Sequence, residues 1–178
     1  MKRFLLMLAT AVVVVSAAHA QAADVKPTEI RGHFIGETIA AFLRMEPEAQ
    51  QEAEVSRQHS NQPSCARLLA ALDHGQRAEI STSNSINFVL DGGKLVKLTM
   101  LVDDAPDAIR VDLTKKFGLQ PRETTIPGQN YLGAKWENRS FAWDTPDAYV
   151  TLYEDNNPSI QDRRPVLVVE SRASYERK

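Results

Sequence analysis

The 178-residue sequence predicts an α+β fold in which an antiparallel sheet packs against helices on one face. Three stretches carry that expectation. From Ser85 to Val102, apolar residues alternate on both sides of Asp91-Gly92-Gly93: Ile86, Phe88 and Leu90 share one strand face, as do Val96, Leu98, Met100 and Val102 after the turn. Glycine accepts the positive φ that a tight hairpin turn needs. From Asp103 to Leu119 the period lengthens to four, with Ile109, Leu113 and Phe117 in a stripe. Acidic residues and Pro106 sit at the positive end of that helix, Lys115 and Lys116 at the negative end, and Gly118 is its left-handed stop. Alternation then returns: Tyr149, Thr151 and Tyr153 oppose Val150 and Leu152, and Val166 to Tyr175 reads as a valine-rich final strand.

The chain begins with Met1-Lys2-Arg3, an apolar run from Phe4 to Val15, and small residues at A-x-A spacing up to Ala22. This is the three-part layout of an export signal, with cleavage expected after Ala20 or Ala22. The apolar run is shorter than the roughly 20 residues needed to span a bilayer. Residues 1–22 are therefore expected to be removed, leaving a periplasmic or secreted protein without a membrane span. Residues 23–32 are polar and contain Pro27, so they read as a flexible lead-in, and 33–178 as a single domain. Ile35, Ile39, Phe42 and Leu43 mark a helix that breaks at Glu46-Pro47, and the polar segment Glu48 to Gln58 is expected to be exposed. Ser64 is the expected N-cap of a helix from Cys65 to His74 that Gly75 ends. Ala78 to Thr82 reads as a short edge strand and Pro121 to Gln129 as a loop. Gly133 to Glu137 and Ser140 to Trp143 read as strands joined by a turn at Asn138-Arg139, and Thr145-Pro146-Asp147 as a second turn.

Removing residues 1–22 takes away Lys2 and Arg3 and no acidic residue, leaving 19 basic and 23 acidic side chains, a net of −4. Without a basic stripe, such a chain is not expected to bind nucleic acid or anionic membrane surfaces. Cys65 is the only cysteine, so no intramolecular disulfide can form; it reads as a half-buried helix residue in a monomeric protein. His33, His59 and His74 lie far apart in polar settings and read as solvated. The sequence has neither closely spaced histidines nor a His-Glu-x-x-His helix for zinc. It also lacks a Gly-x-Ser-x-Gly elbow and a phosphate-cradling glycine loop. Asp103, Asp104 and Asp107 are explained by helix capping, and Glu154-Asp155 closes a strand; neither has the spacing of a calcium loop. No catalytic residue, metal or cofactor is assigned, and the chain reads as non-enzymatic.

The suggestive set is aromatic: Tyr131, Trp136, Phe141, Trp143, Tyr149 and Tyr153, with Lys135, Arg139 and Arg163-Arg164 nearby. Aromatic residues and arginine dominate binding hot spots, although a small sheet also needs such rings to bury enough area. Trp136, Phe141, Trp143, Tyr149, Tyr153 and Arg139 are therefore the expected contacts for an envelope protein partner. The alternative is a periplasmic hydrolase or small-ligand protein whose site is assembled from Asp, Glu and His residues distant in sequence. A striped helix ending near a proline precedes antiparallel strands twice (Thr38 to Pro47, Pro106 to Pro121), which suggests two similar halves, 33–102 and 103–178. In the Gly36-Glu37-Thr38 helix start, the Lys116-Phe117-Gly118-Leu119-Gln120-Pro121 ending and the later Trp136, the chain resembles the helix-plus-antiparallel-sheet modules of outer-membrane assembly lipoproteins of the SmpA/OmlA type. It is similar in the same way to the tandem modules of β-lactamase-inhibitor proteins. The resemblance spans most of 33–175 and implies helices on an antiparallel sheet. The lipid-attachment cysteine of the lipoproteins is absent, and the inhibitors' disulfides have no counterpart here.

Overall fold

The structure is a computed structural model that describes residues 27–83, 85–157, 160 and 163–177. The expected export signal and residues 23–26 lie outside the described residues. In chain order the elements are β1 (Glu29–Ile30), β2 (His33–Phe34), α1 (Ile39–Met45), α2 (Pro47–Gln58), α3 (Pro63–His74), β3 (Ala78–Ser81), β4 (Ile86–Asp91), β5 (Lys94–Leu101), α4 (Pro106–Phe117), β6 (Arg122–Gln129), β7 (Lys135–Asp144), β8 (Ala148–Tyr153), β9 (Val166–Ser171) and α5 (Arg172–Tyr175). Strands β3 to β9 make one antiparallel sheet in the order β3-β4-β5-β9-β8-β7-β6. α1 to α4 pack on one of its faces, so the fold is α+β. α1–α3 precede the antiparallel run β3-β4-β5 and α4 precedes β6-β7-β8-β9, and the two runs join in one sheet where β5 pairs with β9. Among the described residues no helix is long and apolar enough to cross a membrane.

Local chemistry explains the elements that position this sheet. Gly92 and Gly93 both have positive φ, 60° and 76°, the geometry of a two-residue hairpin turn that follows strand twist. The Thr38 hydroxyl accepts the Ala41 N–H and caps α1. α4 begins on Pro106 and ends on left-handed Gly118, φ 68°. The interior lies between α1–α4 and the sheet face carrying Phe88, Leu98, Met100, Phe141, Trp143, Val150, Leu152, Leu167 and Val169. Ile109 and Leu113 are buried against it, Phe117 partly so, and Phe42 meets Phe88 edge-on with ring centroids 4.8 Å apart. A register shift at Val89/Leu90 lets Leu95 and Val96, adjacent in sequence, both be buried.

Several expectations need correction. Residues 27–32 are built into the fold rather than forming the end of a flexible lead-in: β1 pairs with β2, Ile30 is buried, and the Thr28 N–H donates to Asp147 Oδ2 at 2.7 Å. α2 is not exposed all round, because Ala49, Ala53 and Ser56 form a narrow buried face and α2 packs on α3. α3 starts at Pro63 with Gln62 as N-cap, so Ser64 does not cap it. Arg122–Gln129 is an edge strand, where Pro127 is tolerated because one side of the strand has no ladder partner. Asn138-Arg139 is not a turn; β7 runs unbroken through it, and its first half pairs only with β6, forming a two-stranded arm that outruns the sheet. The final strand stops at Ser171, whose hydroxyl accepts the Ser174 N–H and opens the short α5.

Candidate functional site

Strand parity divides the six expected contact residues into two groups. Phe141 and Trp143 point into the interior and are each 1% exposed, so they are not available to a partner. Trp143 packs under α4, with its Nε1–H donating to Thr114 Oγ1 at 3.3 Å and its ring 6.4 Å from that of Phe117. Arg139 shares this face at its rim. Its Nε and Nη2 donate to the two oxygens of the buried Glu154 carboxylate, both at 2.8 Å, and its guanidinium lies 5.4 Å from the Phe141 ring centre. Those Glu154 hydrogen bonds raise the Arg139 pKa from its ordinary value, so the fork stays charged. Arg139 is thus engaged within the fold.

Trp136, Tyr149 and Tyr153 belong to the opposite face, where among the described residues α5 is the helix that packs. The register aligns this face in rows that run across strands. One row is Leu101, Val166, Tyr153, Ser140 and Thr124; the next is Thr99, Val168, Thr151, Ala142 and Arg122. A third, Lys97, Glu170, Tyr149 and Asp144, is charged at three of its four positions. Tyr149 is occupied internally: the Arg172 guanidinium lies 4.8 Å from its ring centre and donates to its hydroxyl, and the Tyr175 ring is 4.5 Å away. α5 thereby closes one end of the face over a groove of about 460 Å³ that includes Ala142, Thr151, Arg122 and Leu119.

The first two rows are uncharged except for Arg122 on the edge strand. Leu101, Val166, Val168 and Thr151 are half-buried, and Tyr153 is 42% exposed. The same face continues along the β6–β7 arm through exposed Ile126 and half-buried Trp136. The Trp136 indole lies so closely across Gly128 that a Cβ there would overlap it, and its Nε1–H is buried without a hydrogen-bond partner among the described residues. At the arm's tip Tyr131 is 95% and Leu132 76% exposed. Asn130 Oδ1 accepts the N–H groups of both Leu132 and Ala134, at 3.0 and 2.9 Å, so the tip holds one shape. Sequence reasoning missed Ile126, Leu132, Leu101, Val166 and Val168 as surface. The available signal was two consecutive apolar residues, Tyr131-Leu132, inside a segment otherwise made of turn formers.

His33 is not a solvated surface residue as expected. It is 4% exposed, with Nδ1 2.7 Å from Glu37 Oε1 and Nε2 2.8 Å from Glu46 Oε1. His59 and His74 are exposed, and Cys65 is half-buried and free. Both His33 ring nitrogens are thus within hydrogen-bond distance of a carboxylate oxygen. The chain has no significant match among protein-family profiles, curated proteins or solved structures.

Proposed function

We propose that this is an exported, non-enzymatic binding protein of the cell envelope, which docks a protein partner on the open face of its sheet and along the β6–β7 arm. The observation that carries the reading is a series of exposed and half-buried apolar side chains along the sheet and its arm. Leu101, Val166, Tyr153 and Ile126 lie on the side away from α1–α4, and Tyr131 and Leu132 stand exposed at the end of the arm. Apolar surface of that extent with a polar border is the usual mark of a recognition surface. The border is here supplied by Lys97, Asp144 and Arg122. The arm is pre-organised by the Asn130 turn and the Trp136–Gly128 contact, which lowers the ordering cost of association. The apolar start of the chain supports export, and the pattern shared with envelope helix-plus-sheet modules points the same way.

The test compares three charge insertions in affinity capture from envelope extract. Tyr153→Asp and Ile126→Asp should each abolish recovery of a stoichiometric partner while leaving thermal unfolding unchanged. Val111→Asp, on the exposed side of α4, should leave recovery intact. Equal recovery with all three variants would remove the open face from consideration.

A further inference from the structure

The burial of His33 between two acids has a consequence for how the N-terminal hairpin is held. Phe42 from α1 and Phe88 from β4 lie against the imidazole, with centroids at 5.7 and 5.1 Å. Glu37, from the turn before α1, and Glu46, at the α1–α2 junction, are the charged groups in contact with it. Among the described residues neither carboxylate has a lysine or arginine partner. A neutral imidazole carries one N–H and one lone pair. Between two ionised carboxylates it would aim that lone pair at an oxygen less than 3 Å away, and in so dry a site the repulsion is poorly screened. Protons on both nitrogens turn both contacts into charge-assisted hydrogen bonds.

We propose that Glu37–His33–Glu46 is a proton-dependent latch, which clamps the β1–β2 hairpin to the α1–α2 junction while both ring nitrogens carry hydrogen and releases it when one is lost. The linkage to the rest of the fold is short. Glu46 is both the C-cap of α1 and the N-cap of α2. The Glu37 N–H donates to the Phe34 carbonyl at 3.0 Å, and the Glu37 carbonyl accepts the Leu95 N–H at 3.0 Å, so the latch joins hairpin, helix junction and β5. The signs of the two arms are opposite. The imidazolium contribution is present at low pH and lost as pH rises, whereas the carboxylate contribution is present at high pH and lost as pH falls. Hairpin order therefore peaks at intermediate pH.

The test is long-range 1H–15N spectroscopy of the histidine rings in the whole protein from about pH 5 to about pH 10, with exposed His59 and His74 as internal references. Amide exchange over residues 29–36, corrected for intrinsic rate, reads the hairpin. The latch is closed while His33 shows two ring N–H groups, one toward each carboxylate. When it loses one, hairpin protection should fall about tenfold or more while the Leu98 and Val150 amides keep theirs. Glu46→Gln, at the 21% exposed end of the cluster, should bring loss of the second His33 proton to a lower pH without unfolding the sheet. A His33 ring that loses one of its protons with no change in hairpin protection would overturn the latch.

Discussion

Trp143→Ala separates a folding role from a binding role for the residue that sequence placed in the partner surface. The side chain is wholly buried against Phe117 and beside Phe141 in the layer under α4. Truncating a buried tryptophan to alanine costs about 3–5 kcal/mol, the transfer of the lost ring plus the cavity left behind. The lost hydrogen bond adds little, because Thr114 is half-exposed and its hydroxyl can turn to water. At about 2–4 °C per kcal/mol for a chain of this size, the melting temperature should fall by roughly 6–20 °C. Trp143→Phe keeps most of the volume and should cost about 1–2 kcal/mol. Urea unfolding followed by circular dichroism measures both, and the slope should not change if the transition stays two-state. Tyr153→Ala, on the open face, should stay within about 0.5 kcal/mol of the parent. A Trp143→Ala protein as stable as the parent would mean that the parity assignment of β7, and the two-sided division of the sheet built on it, is wrong.

The other expectations follow from contacts rather than cavities. His33→Leu leaves the Glu37 carboxylate buried without its partner and should cost about 3–5 kcal/mol in urea unfolding; adding Glu37→Leu should recover most of it, since replacing both members removes the stranded charge. Gly128→Ala drives a methyl into the Trp136 indole and should cost about 1–3 kcal/mol, felt mainly as faster amide exchange in the arm and relieved by Trp136→Ala. Glu48 accepts hydrogen bonds from the Ser83 hydroxyl and N–H, at 2.5 and 2.8 Å, which hold its pKa below the ordinary carboxylate value. Its folded-state value is the lower one, so its stabilising contribution is present above the unfolded value and lost as pH falls through the folded one. Ser83→Ala should return the Glu48 titration, followed by side-chain carbon shifts, toward the ordinary range.

The parts of the fold that were legible are those in which a local rule and tertiary burial agree. The β4–β5 hairpin has alternating apolar residues and a Gly-Gly turn, and α4 has its cap, stripe and stop, so neither needed a distant partner to be read. β6 was missed because an edge strand exposed along its length carries no apolar alternation, and its Pro127-Gly128 pair is turn-like in any local reading. β7 was split because Asn138 and Arg139 belong to the arm, where pairing with β6 alone leaves polar side chains in water. Two of the six expected contact residues were misplaced by parity. Phe141 and Trp143 are spaced by two, which shows that they share a face but not which face; register with Leu152 and Val150 decides it. His33 was illegible because its partners stand four and thirteen residues away in a stretch that is not one continuous helix, so no periodic rule joins the three.

For the proposed partner, strand pairing separates two chemically different ways to bind. One is strand addition at β6, the long edge; the other is side-chain docking on the open face. The edge is guarded: Pro127 has no N–H to donate, Gly128 is pinned beneath Trp136, and the charged Arg122 and Glu123 open the strand. Charge and proline on an edge strand are the usual obstacles to edge pairing. The open face has no such guard over Leu101, Val166, Val168 and Tyr153, and its β-branched and aromatic side chains stand perpendicular to the sheet in fixed rows. Partner binding should therefore shift the methyl signals of Val166, Val168 and Leu101 and leave the amide protection of residues 122–129 unchanged. Protection gained along β6 with the methyl signals unmoved would place the partner on the edge and require a route around Pro127.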